Sequence, residues 1–332
     1  MMKNLCQVID QYTESGAVGH LAVRVGRWDE VIYDDFRGVN EQTLFDMASV
    51  TKMMATTTLS LVAIDRGLLH VDDAVSRFYP TEKPLSLKNL LTHTMGIGHK
   101  ALNKEGNTYD NIAEKILEIP SDIPAGSDVR YSCPAFILLG KILEQVFGKR
   151  LDRCFDELVA APLCLSSTCF LPRERDNIVN ANADEQKKGI VNDYNCQFLG
   201  GVAGNAGLFS NIEDTTKYAR FLLNHGAPLF CEPTFMAAVQ NETPKMSESR
   251  GLGFLYVDGS YDQTGGLFAD GSVGHCGHTG QSLFVDYRTG LYMIVLSDAT
   301  ATNIRNLGRE NYAAVKEMRA CLHQAAKQDL GI

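Results

Sequence analysis

Residues Phe45-Asp46-Met47-Ala48-Ser49-Val50-Thr51-Lys52 lead into the most apolar helical run of the chain. Ser49 and Lys52 stand three positions apart, so on a helix they share one face about one turn apart. An amine at that distance can help remove the proton of a serine hydroxyl, which is otherwise a weak nucleophile near neutral pH. The spacing alone is cheap, since an S-x-x-K arises by chance about once in a chain of this length. The helix that carries it adds weight. Val50, Met53, Met54, Ala55, Leu59, Leu61, Val62, Ala63 and Ile64 wrap most of the helix circumference, and a helix apolar all round is a buried one. It is expected to reach Arg66 and stop at Gly67, a natural C-cap. A lysine held in such a helix must lower its pKa or find a partner. Ser49 could also serve simply as an N-cap.

On the N-terminal side, Leu5, Val8, Ile9 and Tyr12 recur at helical spacing, and two strand-like runs come after them, Gly19 to Val25 and Val31 to Phe36. On the C-terminal side, residues 72–171 read as mostly helical. The clearest helix there starts at Pro134 and ends at Gly148. Residues 178–207 are rich in glycine and asparagine and read as long loops, followed by a helix from Glu213 to Asn224. The last third turns to strands, Ser272 to Cys276, Ser282 to Asp286 and Leu291 to Ser297, with Tyr287-Arg288-Thr289-Gly290 as a hairpin. A helix from Asn311 to Lys327 closes the chain. Strands at both ends with helices between imply an α+β fold, one sheet assembled from distant segments with a helical insertion. The expected division is a discontinuous sheet domain, 1–48 and 208–332, and a mainly helical domain, 49–207, with the site where they meet.

Composition narrows the partners. The 332 residues carry a formal net charge of -9, with 45% hydrophobic and 21% charged residues and no basic block. Nucleic acid and anionic membrane are poor partners for such a chain. The nine cysteines are scattered and odd in number, with no C-x-x-C pair, which favours reduced thiols over a disulfide framework or a structural zinc site. The first residues lack the apolar core of a signal peptide, and no apolar stretch is of membrane-spanning length. The chain is therefore expected to be cytoplasmic and to act on a small-molecule or short-peptide substrate.

Several further segments give a resemblance in consistent order from about residue 15 to residue 325. They are Leu90 to Gly96 (L-L-T-H-T-M-G), Tyr131-Ser132-Cys133 with Phe136 to Glu144, Gly200 to Ser210 (G-G-V-A-G-N-A-G-L-F-S), and Gly274 to Asp286 (G-H-C-G-H-T-G-Q-S-L-F-V-D). Together with Phe45 to Lys52 they resemble the serine β-lactamase and penicillin-binding protein superfamily. The likeness is to the branch holding class C β-lactamases, D-alanyl-D-alanine carboxypeptidases, D-amino-acid peptidases and related esterases. It implies a β-lactamase/transpeptidase-like fold, an antiparallel sheet flanked by helices, and no metal or organic cofactor.

The resemblance also assigns roles. Ser49 stands where the family has its acylated nucleophile and Lys52 where it has the activating amine. Tyr131 matches the tyrosine of Y-x-N, implying a general base and later acid, and a nearby Lys52 cation would favour its phenolate. Backbone N–H groups of Ser49 and His278 would form the oxyanion hole. His275-Cys276-Gly277 matches the K-T-G substrate-binding segment.

Two positions depart from the pattern. Cys133 replaces the asparagine, which puts in doubt any role needing an amide. As a nucleophile in its own right it lacks an evident base beside it in sequence. His275 replaces the lysine, giving a group expected to titrate near neutral pH instead of a permanent cation. That exchange favours esters, amides or small acyl groups over a free C-terminal carboxylate. His93 and Asn205 are expected to be structural. The implied activity is that of a serine hydrolase, a carboxylesterase or D-amino-acid peptidase. The alternatives are a class C-type β-lactamase or DD-carboxypeptidase and, in another class, a non-catalytic ligand-binding protein on the same fold.

Overall fold

The computed structural model describes residues 2–172, 176–260 and 263–332. Its centre is a six-stranded antiparallel sheet. The strands are β1 (Leu21–Arg27), β2 (Glu30–Arg37), β3 (Leu255–Tyr256), β4 (Val273–Cys276), β5 (Ser282–Asp286) and β6 (Leu291–Ser297), in spatial order β2-β1-β6-β5-β4-β3. The first and last strands in sequence join at the middle, Val23 opposite Val295. From there the hairpins run outward, Phe284 opposite Met293 and His275 opposite Leu283. The 287–290 connection closes as expected, with Gly290 N–H donating to the Asp286 carbonyl.

Side chains alternate across a pleated strand; β6 is apolar on both faces, and β1 on one, with Arg24 on the other paired to Asp34 and Glu213. Val23, Val25, Met293 and Val295 meet helices α1 (Lys3–Glu14) and α6 (Tyr312–Leu330) through Leu5, Ile9, Met318 and Leu322. The opposite face, with Ala22, Leu283, Ile294 and Leu296, joins the larger core containing the Ser49 helix and α4 (Ile212–Leu223). Three layers result, helices on each side of one sheet. No helix among the described residues is long and apolar enough to cross a membrane.

The run after Ser49 is buried, as its apolar circumference requires, but it is not one regular α-helix. Residues Lys52–Thr57 form a π-helical turn, which passes into α2 (Thr58–Asp65), and Gly67 comes next with φ +68°. Residues 72–171 are less helical than expected. α3 (Cys133–Phe147) is the long helix there, the others are one or two turns, and Cys169–Phe170 is a short strand. That strand and Phe45–Asp46 flank Leu208–Ser210 in a second small sheet, which sets the Ser49 loop beside the glycine-rich 200–207 segment. α5 (Ala299–Leu307) and the two-residue edge strand β3 have no counterpart among the elements expected from sequence.

Candidate active site

The loop before Ser49 is held from below. Asp46 is buried, and its two carboxylate oxygens accept the N–H groups of Ala48 (2.8 Å) and Asn192 (2.7 Å). Burial pushes its carboxyl up to about 6, against those two hydrogen bonds. Ala48 adopts φ +45°, a left-handed conformation uncommon for a residue with a side chain. It turns the chain sharply just before Ser49. Among the described residues no backbone N–H uses the Ser49 hydroxyl as a cap. Instead Ser49 Oγ lies 3.0 Å from Lys52 Nζ.

Lys52 is fully buried and richly partnered. Its ammonium donates to Ser49 Oγ, to the Asn205 carbonyl (2.9 Å) and to Cys133 Sγ (3.6 Å), and lies 4.9 Å from the centre of the Tyr131 ring. Burial opposes its charge, but Cys133, Tyr131 and, farther off, Asp193 outweigh burial and hold the ammonium above the ordinary lysine value. Of the two outcomes open to a buried lysine, the partner is the one realised. Asn205 contributes through its backbone, while its side-chain N–H donates to Asp193. The 204–205 turn comes this close because Gly204 has no side chain; a Cβ there would lie 2.0 Å from the Phe136 carbonyl.

Tyr131 and Cys133 arrive on a second helix N-terminus. Ser132 caps α3, its Oγ accepting the Ala135 N–H at 3.1 Å, and its own N–H donates to Nδ1 of His93. His93 stacks against Tyr131 (4.6 Å between ring centres) and Phe136 (4.9 Å), so it positions the tyrosine from behind. The phenol faces Lys52 and Ser49. Burial raises it above the ordinary tyrosine value, and Lys52 pulls the other way without cancelling that effect. The Lys52 cation favours the phenolate as expected, but burial outweighs it and the resting group is a phenol.

The third wall is β4 and the turn after it. His275 is 2% exposed, and its Nδ1–H donates to the Cys276 carbonyl at 2.8 Å. Burial, then Lys52 and Arg250, hold it well below the ordinary histidine range. It is a neutral imidazole with the lone pair of Nε2 unpartnered, not the group titrating near neutrality expected from sequence. Gly277 lets the turn approach the nucleophile loop, since a Cβ there would lie 2.9 Å from the Met47 carbonyl and 3.2 Å from Ala48 Cβ. The approach is locked. Gln281 Nε2 and Thr279 Oγ1 both donate to the Asp46 carbonyl. Arg319, fully buried on α6, donates to the Gly277 carbonyl at 2.8 Å. Among the described residues neither the Ser49 nor the His278 backbone N–H has a hydrogen-bond partner. The His278 side chain stacks on Tyr312 (5.1 Å).

These walls enclose a cleft of about 570 Å³ lined by Ser49, Tyr131, Cys133, His275, Cys276 and His278. Every side chain expected from sequence to carry chemistry lines it except Lys52, which sits beneath Ser49. Gly277 forms the turn behind the wall. Arg250 and His99 are among the lining residues that went unnoticed in sequence. Arg250, 3% exposed, pairs with Glu248, lies 5.8 Å from the centre of the Tyr131 ring, and has an unpartnered Nε. The neighbouring Cys133 sulfur, against burial, holds the His99 imidazole above the ordinary histidine value. Neither stands in a motif, and only the fold brings them to the cleft.

Comparison with known proteins agrees with this architecture. A family model described as Beta-lactamase matches residues 5–316. A protein of Escherichia coli (strain K12) named "Putative D-alanyl-D-alanine carboxypeptidase" is 29% identical over 304 residues, covering 77% of this chain and 69% of its own. Esterase EstB of Burkholderia gladioli is 27% identical over 356 residues, covering 88% of each. A penicillin-binding protein homologue from Caulobacter crescentus superposes with a TM-score of 0.77 at 17% identity, over 99% of this chain and 97% of that one.

Proposed function

The chain belongs to the β-lactamase family, and from that premise we propose that it is a serine hydrolase working through an acyl-enzyme at Ser49, with an ester or amide carbonyl as substrate. One observation carries the reading: a buried ammonium, Lys52, 3.0 Å from a serine hydroxyl at the floor of a cleft. In this reading Ser49 Oγ attacks the carbonyl carbon. Tyr131, facing both Ser49 and Lys52, takes the hydroxyl proton and later returns it to the leaving group. Because the resting tyrosine is a phenol, the base is its minor ionised form, which the Lys52 cation stabilises. The free N–H groups of Ser49 and His278 receive the oxyanion. Water then releases the acyl group by the same proton path.

Carboxylesterase or D-amino-acid peptidase action is favoured by the neutral His275 and by Cys133 in place of an amide. The esterase name of the Burkholderia relative is consistent with it. A second reading, release of a residue bearing a free C-terminal carboxylate, is favoured by Arg250, a buried cation that His275 alone would not supply. The test is a hydrolysis panel of nitrophenyl esters, D-alanyl anilides, D-alanyl-D-alanine peptides and nitrocefin, run on wild type and Ser49→Ala. Turnover of esters or anilides that vanishes in Ser49→Ala supports the first reading. Preference for the free carboxylate, lost in Arg250→Ala through a raised KM, moves the assignment to the second. Failure of any substrate or fluorophosphonate to label Ser49 sinks both.

A further inference from the structure

Cys133 does not have the setting of a structural thiol. It occupies the first turn of α3, a 15-residue helix whose N-terminal end favours negative charge. Its sulfur lies 3.6 Å from the Lys52 ammonium, and His99 lines the same cleft beside it. It is 3% exposed, yet it lines the cleft that also exposes Ser49. The same cleft holds a buried polar atom with no partner, Nε2 of His275. Cys154 and Cys196, also buried, are built differently. Burial pushes the Cys154 thiol up to about 11, and the Cys196 thiol donates to the Ala206 carbonyl. A cysteine reacts with oxidants through its sulfur anion, and a lysine, an imidazole and a helix N-terminus are surroundings that favour such reactivity.

We propose that Cys133 is a modification site for hydroperoxides, oxidised to a sulfenic acid that draws Lys52 away from Ser49. The thiol proton passes to His99, and the sulfur attacks one peroxide oxygen. An S–O bond forms as the O–O bond breaks. Sulfur is oxidised by two electrons, the peroxide is reduced, and its second oxygen leaves as water or an alcohol after taking the proton back from His99. The new oxygen lies beside the Lys52 ammonium and competes with Ser49 Oγ for its hydrogen bond. A small thiol reverses the change. It displaces water from the sulfenic sulfur to give a mixed disulfide, and a second thiol then releases Cys133 and departs as a disulfide. The loss of activity rests on the proposed acyl-enzyme at Ser49, whereas the modification does not.

The test uses the full chain, reduced and then treated with graded hydrogen peroxide, with a 1,3-diketone trapping sulfenic acids for peptide mass spectrometry. Ser49 is labelled in parallel with a fluorophosphonate. The exposed Cys164 and Cys231 are internal comparators. Trapping at Cys133 is expected before either of them, with Ser49 labelling falling in step and recovering on addition of thiol. His99→Asn is expected to slow trapping at Cys133 and not at Cys164. In Cys133→Ser, peroxide should leave the labelling at whatever level that variant shows without it. The proposal is overturned if Cys133 stays a thiol while Cys164 and Cys231 are trapped, or if trapping at Cys133 leaves Ser49 labelling undiminished. If Ser49 does not label in reduced wild type, the acyl-enzyme reading fails, and the order of trapping alone decides the modification site.

Discussion

Two helix beginnings meet at the Lys52 ammonium, and they are built in opposite ways. The one carrying Cys133 is regular: Ser132 caps it, Pro134 stands in its first turn, and the α-geometry runs on to Gly148. The one carrying Ser49 is irregular. A left-handed Ala48 precedes the serine, a buried carboxylate holds the loop, and the first turn after it is π-helical. Local rules suffice to present a side chain at the cleft, as α3 does. The Ser49 side needs distant parts of the chain, namely the 204–205 turn, Asn192 and the 277–281 turn, to hold its shape. Strain of this kind persists only where the surroundings over-determine it, and here it lies at the proposed nucleophile.

The contrast predicts where substitutions hurt activity and where they hurt stability. Lys52→Met, an apolar replacement of similar length, should keep the fold and lower kcat/KM by roughly 10²–10⁴-fold; near-normal turnover would show that the Ser49 side does not depend on its amine. With Tyr131 as base and its phenol raised, kcat/KM should climb with pH through and beyond the ordinary tyrosine range. A plateau near neutrality would assign the base elsewhere.

The support under Ser49 should appear in the pH dependence of stability. Asp46 has a folded pKa of about 6 against an ordinary 3.8, so its proton is bound more tightly in the native state. Its contribution is complete below the lower value and is lost as pH rises through the upper one, by about 3 kcal/mol relative to an Asp46→Asn variant. Denaturant unfolding of both proteins across that range measures it, and parallel curves would refute it. Gly277→Ala forces a Cβ against the Met47 carbonyl and should cost ~1–3 kcal/mol. Its loss in Ser49 acylation should be larger than that cost implies. The smallest effect belongs to the regular side: Ser132→Ala removes one cap, about 1 kcal/mol by thermal melting.

The same contrast explains which features are legible in the sequence. The α3 boundaries lie within a residue of those expected from Pro134 and Gly148, because caps and turns are local chemistry. The burial of residues 50–63 is legible from their unbroken apolarity. That very apolarity hides the π-turn, since a run without a polar face carries no phase by which to tell one helical pitch from another. The strands of the main sheet are readable from β-branched runs, except β3, whose two residues are too few to show a period. Lys52 stands out in the sequence, but its chief partner is a backbone carbonyl 153 positions away, which no side-chain pattern records. Arg250 and His99 reach the cleft from segments with no motif. The place of His275 is legible and its charge is not, because burial on both sides of β4 decides the charge and a motif does not reveal burial.

The Arg319 contact to the Gly277 carbonyl ties the last helix to the turn that steadies Asp46 and, through it, Ser49. During synthesis the nucleophile loop emerges from the ribosome well before the arginine that completes its support. A growing chain therefore carries its serine and lysine without a finished cleft around them until residue 319 has been added. The capacity to form an acyl-enzyme should arrive abruptly with the C-terminal helix instead of growing with length.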